Sequence, residues 1–118
     1  MEPRQRKVIV YMGADGRQPF IEWFSGIKNR RIRDAVESRI TRIKSGNYGD
    51  YKRLRDGIIE LRFIKLGLRI YFAEVGNVIV LILCGGDKNT KGEQSKDIAR
   101  AAEYLADFKG GLSDAKDE

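Results

Sequence analysis

Between Gly57 and Phe72 the chain alternates. Ile59, Leu61 and Phe63 are apolar, and Glu60 and Arg62 sit between them; Leu68, Ile70 and Phe72 repeat the pattern around Arg69 and Tyr71. Successive strand residues point to opposite faces, so the run predicts two strands, each with one apolar and one polar side. Gly67 suits a tight turn between them. A connecting loop with an even number of residues sets Glu60, Arg62, Arg69 and Tyr71 on one face, and an odd loop splits them.

The rest of the pattern supplies the frame. Residues 7–12 read as a first strand and residues 13–18 as a turn. Pro19 suits a helix start, and Phe20, Trp23, Phe24 and Ile27 then fall on one helical stripe, which reads as core rather than as a base-stacking platform. Gly26 and Asn29 suggest a bend before a second helix at about residues 30–44, whose buried stripe is Ile32, Val36, Ile40 and Ile43. Residues 45–50 are turn-rich, and Tyr51–Asp56 is a basic segment entering the second strand. Residues 78–83 are apolar throughout, as a central strand covered on both faces is. Residues 85–92 read as a flexible loop. A last helix follows at about residues 95–109, with Ile98, Ala101, Ala102 and Leu105 inward and Gly110-Gly111 as its stop. The expectation is an α+β fold in one domain, residues 1–109. Its order is β-α-α-β-β-β-α, with a mainly antiparallel sheet packed on an αα-hairpin and a disordered acidic tail at 110–118.

Charge changes this picture. The chain of 118 residues has a formal net charge of +6. Residues 110–118 hold Asp114, Asp117 and Glu118 against Lys116, a net −2, so residues 1–109 carry +8. The second helix holds Arg30, Arg31, Arg33, Arg39, Arg42 and Lys44 against Asp34 and Glu37, more lopsided than a face laced with ion pairs requires. Lys52, Arg53 and Arg55 precede the second strand, and Lys91 lies in the glycine-rich loop. Arg39, Arg42, Lys52, Arg53, Arg55 and Lys91 are therefore candidate RNA contacts, although a solvated basic surface explains charge alone equally well.

Composition also excludes chemistry. There is no histidine and one cysteine, so Ser-His-Asp triads, His-dependent zinc sites and His acid/base pairs are ruled out, and no metal or cofactor is expected. Cys84 ends an apolar strand and reads as a small core residue in a reducing compartment. No apolar run reaches the roughly 20 residues of a membrane helix, and the first residues lead into a strand rather than a signal-peptide core. A cytoplasmic location is expected.

RNA can be cleaved by its own 2′-OH if that hydroxyl is deprotonated, the phosphorane charge neutralised and the leaving oxygen protonated. Glu60 suits the base, Arg62 and Arg69 the phosphate contacts, Lys88 charge stabilisation or leaving-group protonation, and Tyr71 phosphate orientation or base stacking. Each also has a structural explanation. Glu60 can simply pair with Arg62 or Arg69 across a hairpin, worth a few tenths of a kcal/mol. Tyr71 can be a half-buried sheet residue.

Asp56-Gly-Ile-Ile-Glu-Leu-Arg62, Gly67-Leu-Arg-Ile-Tyr71 and Leu83-Cys-Gly-Gly-Asp-Lys88, in that order, resemble the addiction-module killer proteins, phage-derived toxins of the RelE/ParE superfamily close to HigB. Pro19-Phe-Ile-Glu-Trp23 and Ser45-Gly-Asn-Tyr-Gly-Asp50 share the likeness, which covers about residues 7–108. The resemblance implies a RelE-like domain, a helix-turn-helix antitoxin as partner, and metal-independent endoribonuclease activity on mRNA in the ribosome, hence inhibition of translation. Arg69 falls on the family's phosphate-contacting arginine and Lys88 on the basic residue after the last strand. Where RelE-type members have lysine before Leu-Arg, this chain has Glu60. The family's Lys-Ser-Thr-Gln run reads Lys88-Asn-Thr-Lys91, with Gly92-Glu93 inserted before Gln94. Two alternatives share the fold: a ParE-like toxin that binds DNA gyrase without catalysis, and a degenerate antitoxin-binding remnant.

Overall fold

The computed structural model describes residues 5–87 and 91–117, with side chains through Leu112. It is a compact α+β fold with three helices and a five-stranded mixed sheet. Strand β1 (Lys7–Val10) is followed by helices α1 (Pro19–Ser25) and α2 (Arg30–Lys44), then by strands β2 (Tyr51–Arg53), β3 (Ile59–Phe63), β4 (Leu68–Val75) and β5 (Ile79–Asp87), and last by helix α3 (Lys91–Asp117). The sheet order is β1-β5-β4-β3-β2; β1 runs parallel to β5 and every other pair is antiparallel.

The sheet has a core on each face. One holds Phe20 of α1, Val36 and Ile43 of α2, and Ile59, Leu61, Ile70, Phe72, Val80 and Ile82 from the strands. The other holds Ile58, Tyr71, Ala73, Leu81 and Leu83 beneath Ala101 and Leu105 of α3. The helical stripes and the doubly covered β5 match expectation. The αα-hairpin covers one face only, and α3 covers the other. Asn29 caps α2, its side-chain oxygen accepting from the amides of Arg31 at 2.9 Å and Ile32 at 3.3 Å.

Three elements differ from the sequence expectation. Tyr51–Arg53 forms a short edge strand, paired with β3. β5 runs on through Gly85, Gly86 and Asp87, which were expected to be loop. A bulge opposite Tyr71 and Phe72 leaves Leu83 without a partner on β4. It puts both Leu83 and Cys84 on the α3 side, and the two glycines then alternate between faces. A Cβ on Gly85 would overlap the indole of Trp23, and one on Gly86 the carboxylate of Asp97. These glycines are seats for α1 and α3, one on each face, rather than loop residues.

Finally, α3 begins at Lys91 and continues through Gly110 and Gly111 to Asp117. A glycine stops a helix by adopting positive φ, and neither of these does so. Their cost, about 1 kcal/mol each relative to alanine, lowers helix propensity without ending the helix.

Candidate functional site

Four residues, Ile64 to Gly67, connect β3 to β4. The loop is even, and Gly67 turns it at φ 68°. Glu60 therefore lies opposite Tyr71, and Arg62 opposite Arg69. All four are on the α3 face, as the alternation predicted for an even loop.

What covers that face is the main departure. Gln94, in the first turns of α3, donates from Nε2 to Glu60 Oε2 at 2.8 Å. Arg62 Nε is 3.1 Å from Oε1 and Arg69 Nε is 3.5 Å from Oε2. The Glu60 side chain is 0% exposed, against 13% for Arg69 and 37% for Arg62. A carboxylate is buried this deeply only when paired and hydrogen-bonded, and both conditions are met here. A general base must come within hydrogen-bond reach of its proton donor. Roofed by α3, Glu60 does not meet that requirement. It pairs with two guanidiniums and holds them side by side.

Tyr71 is also fully buried, and its hydroxyl has no hydrogen-bond partner among the described residues. Burial, with the Glu60 and Asp97 carboxylates, pushes its phenol well above the ordinary range. It does not stack on a base or meet a phosphate in this arrangement. Burial likewise raises the Asp97 carboxyl, aided by Glu93 and Asp87 and opposed by Arg100 and Arg69. Cys84 is pushed up to about 12 by burial and by Asp97, which leaves a core thiol. Lys88 lies outside the described residues.

Arg62 and Arg69 border a small recess of about 120 Å³, completed by Phe63, Ile64 and Leu68. Two adjacent guanidiniums at a recess suit an oxyanion such as a phosphate. Lys52, opposite Glu60 on the edge strand, is exposed, as is Lys91 at the start of α3.

The other expected RNA contacts divide. Arg42 is exposed on α2. Arg53 is 3.0 Å from Glu74, which also accepts from the Tyr48 hydroxyl at 2.7 Å. Arg55 lies in the turn after β2, 3.6 Å from Asp56. Arg39 is not an outward contact. Its guanidinium donates to the carbonyls of Arg62 at 2.9 Å and of Tyr48 and Asp50 at 3.0 Å, and it lies 4.6 Å over the Phe63 ring. It ties α2 to the loop before β2 and to β3. Helical charge counting cannot distinguish such a clamp from a solvated arginine. Gln94 and Asp97 were not identified as site residues. The signal available for Gln94 was chemical, since a carboxylate on a covered face requires donors.

Among the described residues no group of side chains could hold a metal ion, and no helix is long and apolar enough to cross a membrane. No protein-family model matches the chain. A Haemophilus influenzae protein, itself called only "uncharacterized", is 45% identical over 83 residues, covering 70% of this chain and 81% of that one.

Proposed function

The chain belongs to the same family as that Haemophilus influenzae protein, and we propose that it is the toxin of a type II toxin–antitoxin pair, with a RelE-like topology. Its target in this proposal is mRNA in the ribosome, and its partner a helix-turn-helix antitoxin. The observation that carries the proposal is the Arg62–Arg69 pair, held at one end of the sheet by a buried carboxylate. Positive charge over the folded chain adds a general attraction for a polyanion.

In this reading Arg69 and Arg62 take the scissile phosphate and stabilise the charge that develops during attack by the 2′-OH, whose proton passes to solvent water. Glu60 is a positioning residue. Lys88, which follows β5, is assigned the protonation of the leaving oxygen, and Lys52 and Lys91 line the strand's approach. The cytoplasm is the compartment this activity requires.

One observation favours the alternative of a gyrase-binding toxin without catalysis: Glu60, the expected base, and Tyr71 both lie fully buried beneath α3. Primer extension on cellular mRNA after brief induction separates the two. The nuclease reading expects growth arrest with discrete in-frame cuts that vanish in Arg69→Lys, which keeps the charge but loses bidentate geometry. DNA-damage signalling without cuts selects gyrase. Normal growth with soluble protein removes both.

A further inference from the structure

β1 and β2 are the two edges of the sheet, and they are finished differently. All of β2 is exposed, and Lys52 and Arg53 give that edge the charges that discourage strand addition. β1 has a single lysine, at its start. The amides of Lys7 and Tyr11 donate to the carbonyls of Val78 and Ile82 on the β5 side, at 2.8 and 2.9 Å, so the odd-numbered residues turn their main-chain groups inward. The even-numbered residues turn theirs outward. At Arg6 the outward amide donates to the Lys44 carbonyl at the end of α2, at 2.8 Å. Among the described residues no hydrogen bond takes the outward amide or carbonyl of Val8 or Val10. What remains is a short apolar edge, Val8-Ile9-Val10. Its two ends differ in charge. Lys7 and Lys44 are exposed at one end; Asp15 and Asp107 are exposed at the other, where the Tyr11 hydroxyl donates to Asp107 at 2.5 Å.

We infer that this edge pairs with a second copy of the chain, antiparallel, across a twofold axis at Ile9. That register sets Val8 opposite Val10 of the second copy as a pair that exchanges both main-chain hydrogen bonds, and the twofold repeats the pair. The outward amides and carbonyls of Val8 and Val10 are then all used. Ile9 meets its own counterpart on the α3 side of the sheet, an apolar cross-strand contact. The same register sets Lys7 opposite Tyr11 of the second copy, beside Asp107, and turns the end that holds Lys44 toward the end that holds Asp15. An open recess of about 500 Å³ at the acidic end leaves room for the lysine, with Asp15, Glu22 and Asp107 against Arg17 in its lining. Each basic end thus meets an acidic end, although each chain is +6 overall. A parallel copy would set like ends together. The paired run is limited on both sides. Before Val8 the Arg6 amide is spent on Lys44, and after Tyr11 the chain enters the turn in which Gly13 donates to the Arg17 carbonyl. Arg62 and Arg69 lie on β3 and β4, so their recess stays open in each copy. The inference holds with or without the toxin reading.

The test uses the full chain. Sedimentation equilibrium over a concentration series should show a reversible monomer–dimer equilibrium. Val10→Pro removes one outward amide and leaves the amides that face β5, so it should be monomeric where the wild type is dimeric, while its thermal melt stays cooperative. Lys7→Glu should weaken dimerisation by about tenfold, because two contacts reverse at once, and the double change Lys7→Glu with Asp107→Lys should restore it. Ile9→Cys should give a disulfide-linked dimer on mild oxidation without denaturant, since facing residues of a non-hydrogen-bonded pair lie about 4.5 Å apart at Cα. Cys84 is buried, and the wild type serves as the blank. A wild type that stays monomeric across the series overturns the inference. So does a dimer that folded Val10→Pro leaves intact, a dimer indifferent to Lys7→Glu, or one in which Ile9→Cys fails to cross-link, which would place the contact elsewhere. Should Val10→Pro not fold, the charge reversal with its rescue and the cross-link decide the matter without it.

Discussion

Glu60→Gln separates positioning from catalysis because the two roles predict opposite stability outcomes. In the folded chain one Glu60 oxygen faces Arg62 Nε at 3.1 Å, and the other faces Gln94 at 2.8 Å and Arg69 at 3.5 Å. Every neighbour is a donor. A glutamine offers one acceptor oxygen and one donor NH₂, so on either side some donors meet a donor. Removing one member of a buried ion pair costs about 3–5 kcal/mol. Arg62 is more than a third exposed and can turn to water, so its share is discounted. Arg69 cannot, whereas Gln94 can turn its amide to accept, and the retained oxygen returns about 1 kcal/mol. The expected loss is about 2–3 kcal/mol. For a domain of this size that lowers the melting temperature by about 8–12 °C. Thermal unfolding by circular dichroism, with urea unfolding as a second probe, reads it directly. If Glu60→Gln melts within about 2 °C of wild type while toxicity is abolished, Glu60 is an accessible catalytic base and the positioning argument is wrong.

Other outcomes follow from the same packing. Gly85→Ala should destabilise more than Gly86→Ala, by about 1–3 kcal/mol for an overpacked site, because the Trp23 indole is wedged while Asp97 can swing aside; equal melts would show that neither seat is tight. Arg39→Ala should cost about 2 kcal/mol or more, since three backbone carbonyls lose a donor. Arg42→Ala should stay within about 0.5 kcal/mol, and similar urea midpoints for the two would refute the clamp. At Glu74, burial raises the carboxyl but hydrogen bonds from Tyr48 and Arg53 outweigh it, leaving it below the ordinary range. Its contribution is therefore complete above about pH 4.3, the unfolded value, and is lost as pH falls through the folded one. The melting gap between wild type and Glu74→Gln should be widest near neutrality and close toward about pH 3, measured at each pH by calorimetry; a constant gap would refute the linkage.

The frame of this fold was legible because it rests on periodicity. Alternation in β3 and β4 and helical stripes in α1, α2 and α3 each report which side of an element is buried, and burial is what orders the layers. The co-facial placement of Glu60, Arg62, Arg69 and Tyr71 was legible for the same reason, given an even loop. Gly85-Gly86 was not. Two adjacent glycines carry the same local signal whether they free a loop or admit two neighbours, and only the indole of Trp23 and the carboxylate of Asp97, both distant in sequence, decide between those uses.

The covered site has one cause with two consequences. A strand with charged residues on one side ordinarily presents that side to solvent. Here the charges are paired locally, so the side can be covered: Glu60 lies between Arg62 and Arg69, and Gln94 donates to its second oxygen. Covering it places Glu60 and Tyr71 beneath α3. It also changes what the arginines are. Arg69 is mostly buried and holds part of the fold together, so Arg69→Ala is not the neutral surface substitution that its charge suggests. It leaves the buried Glu60 with one guanidinium fewer, a change of the kind that costs several kcal/mol. Loss of toxicity in that variant is therefore informative only beside its melting temperature, and Arg69→Lys, which preserves the charge opposite Glu60, carries the functional comparison.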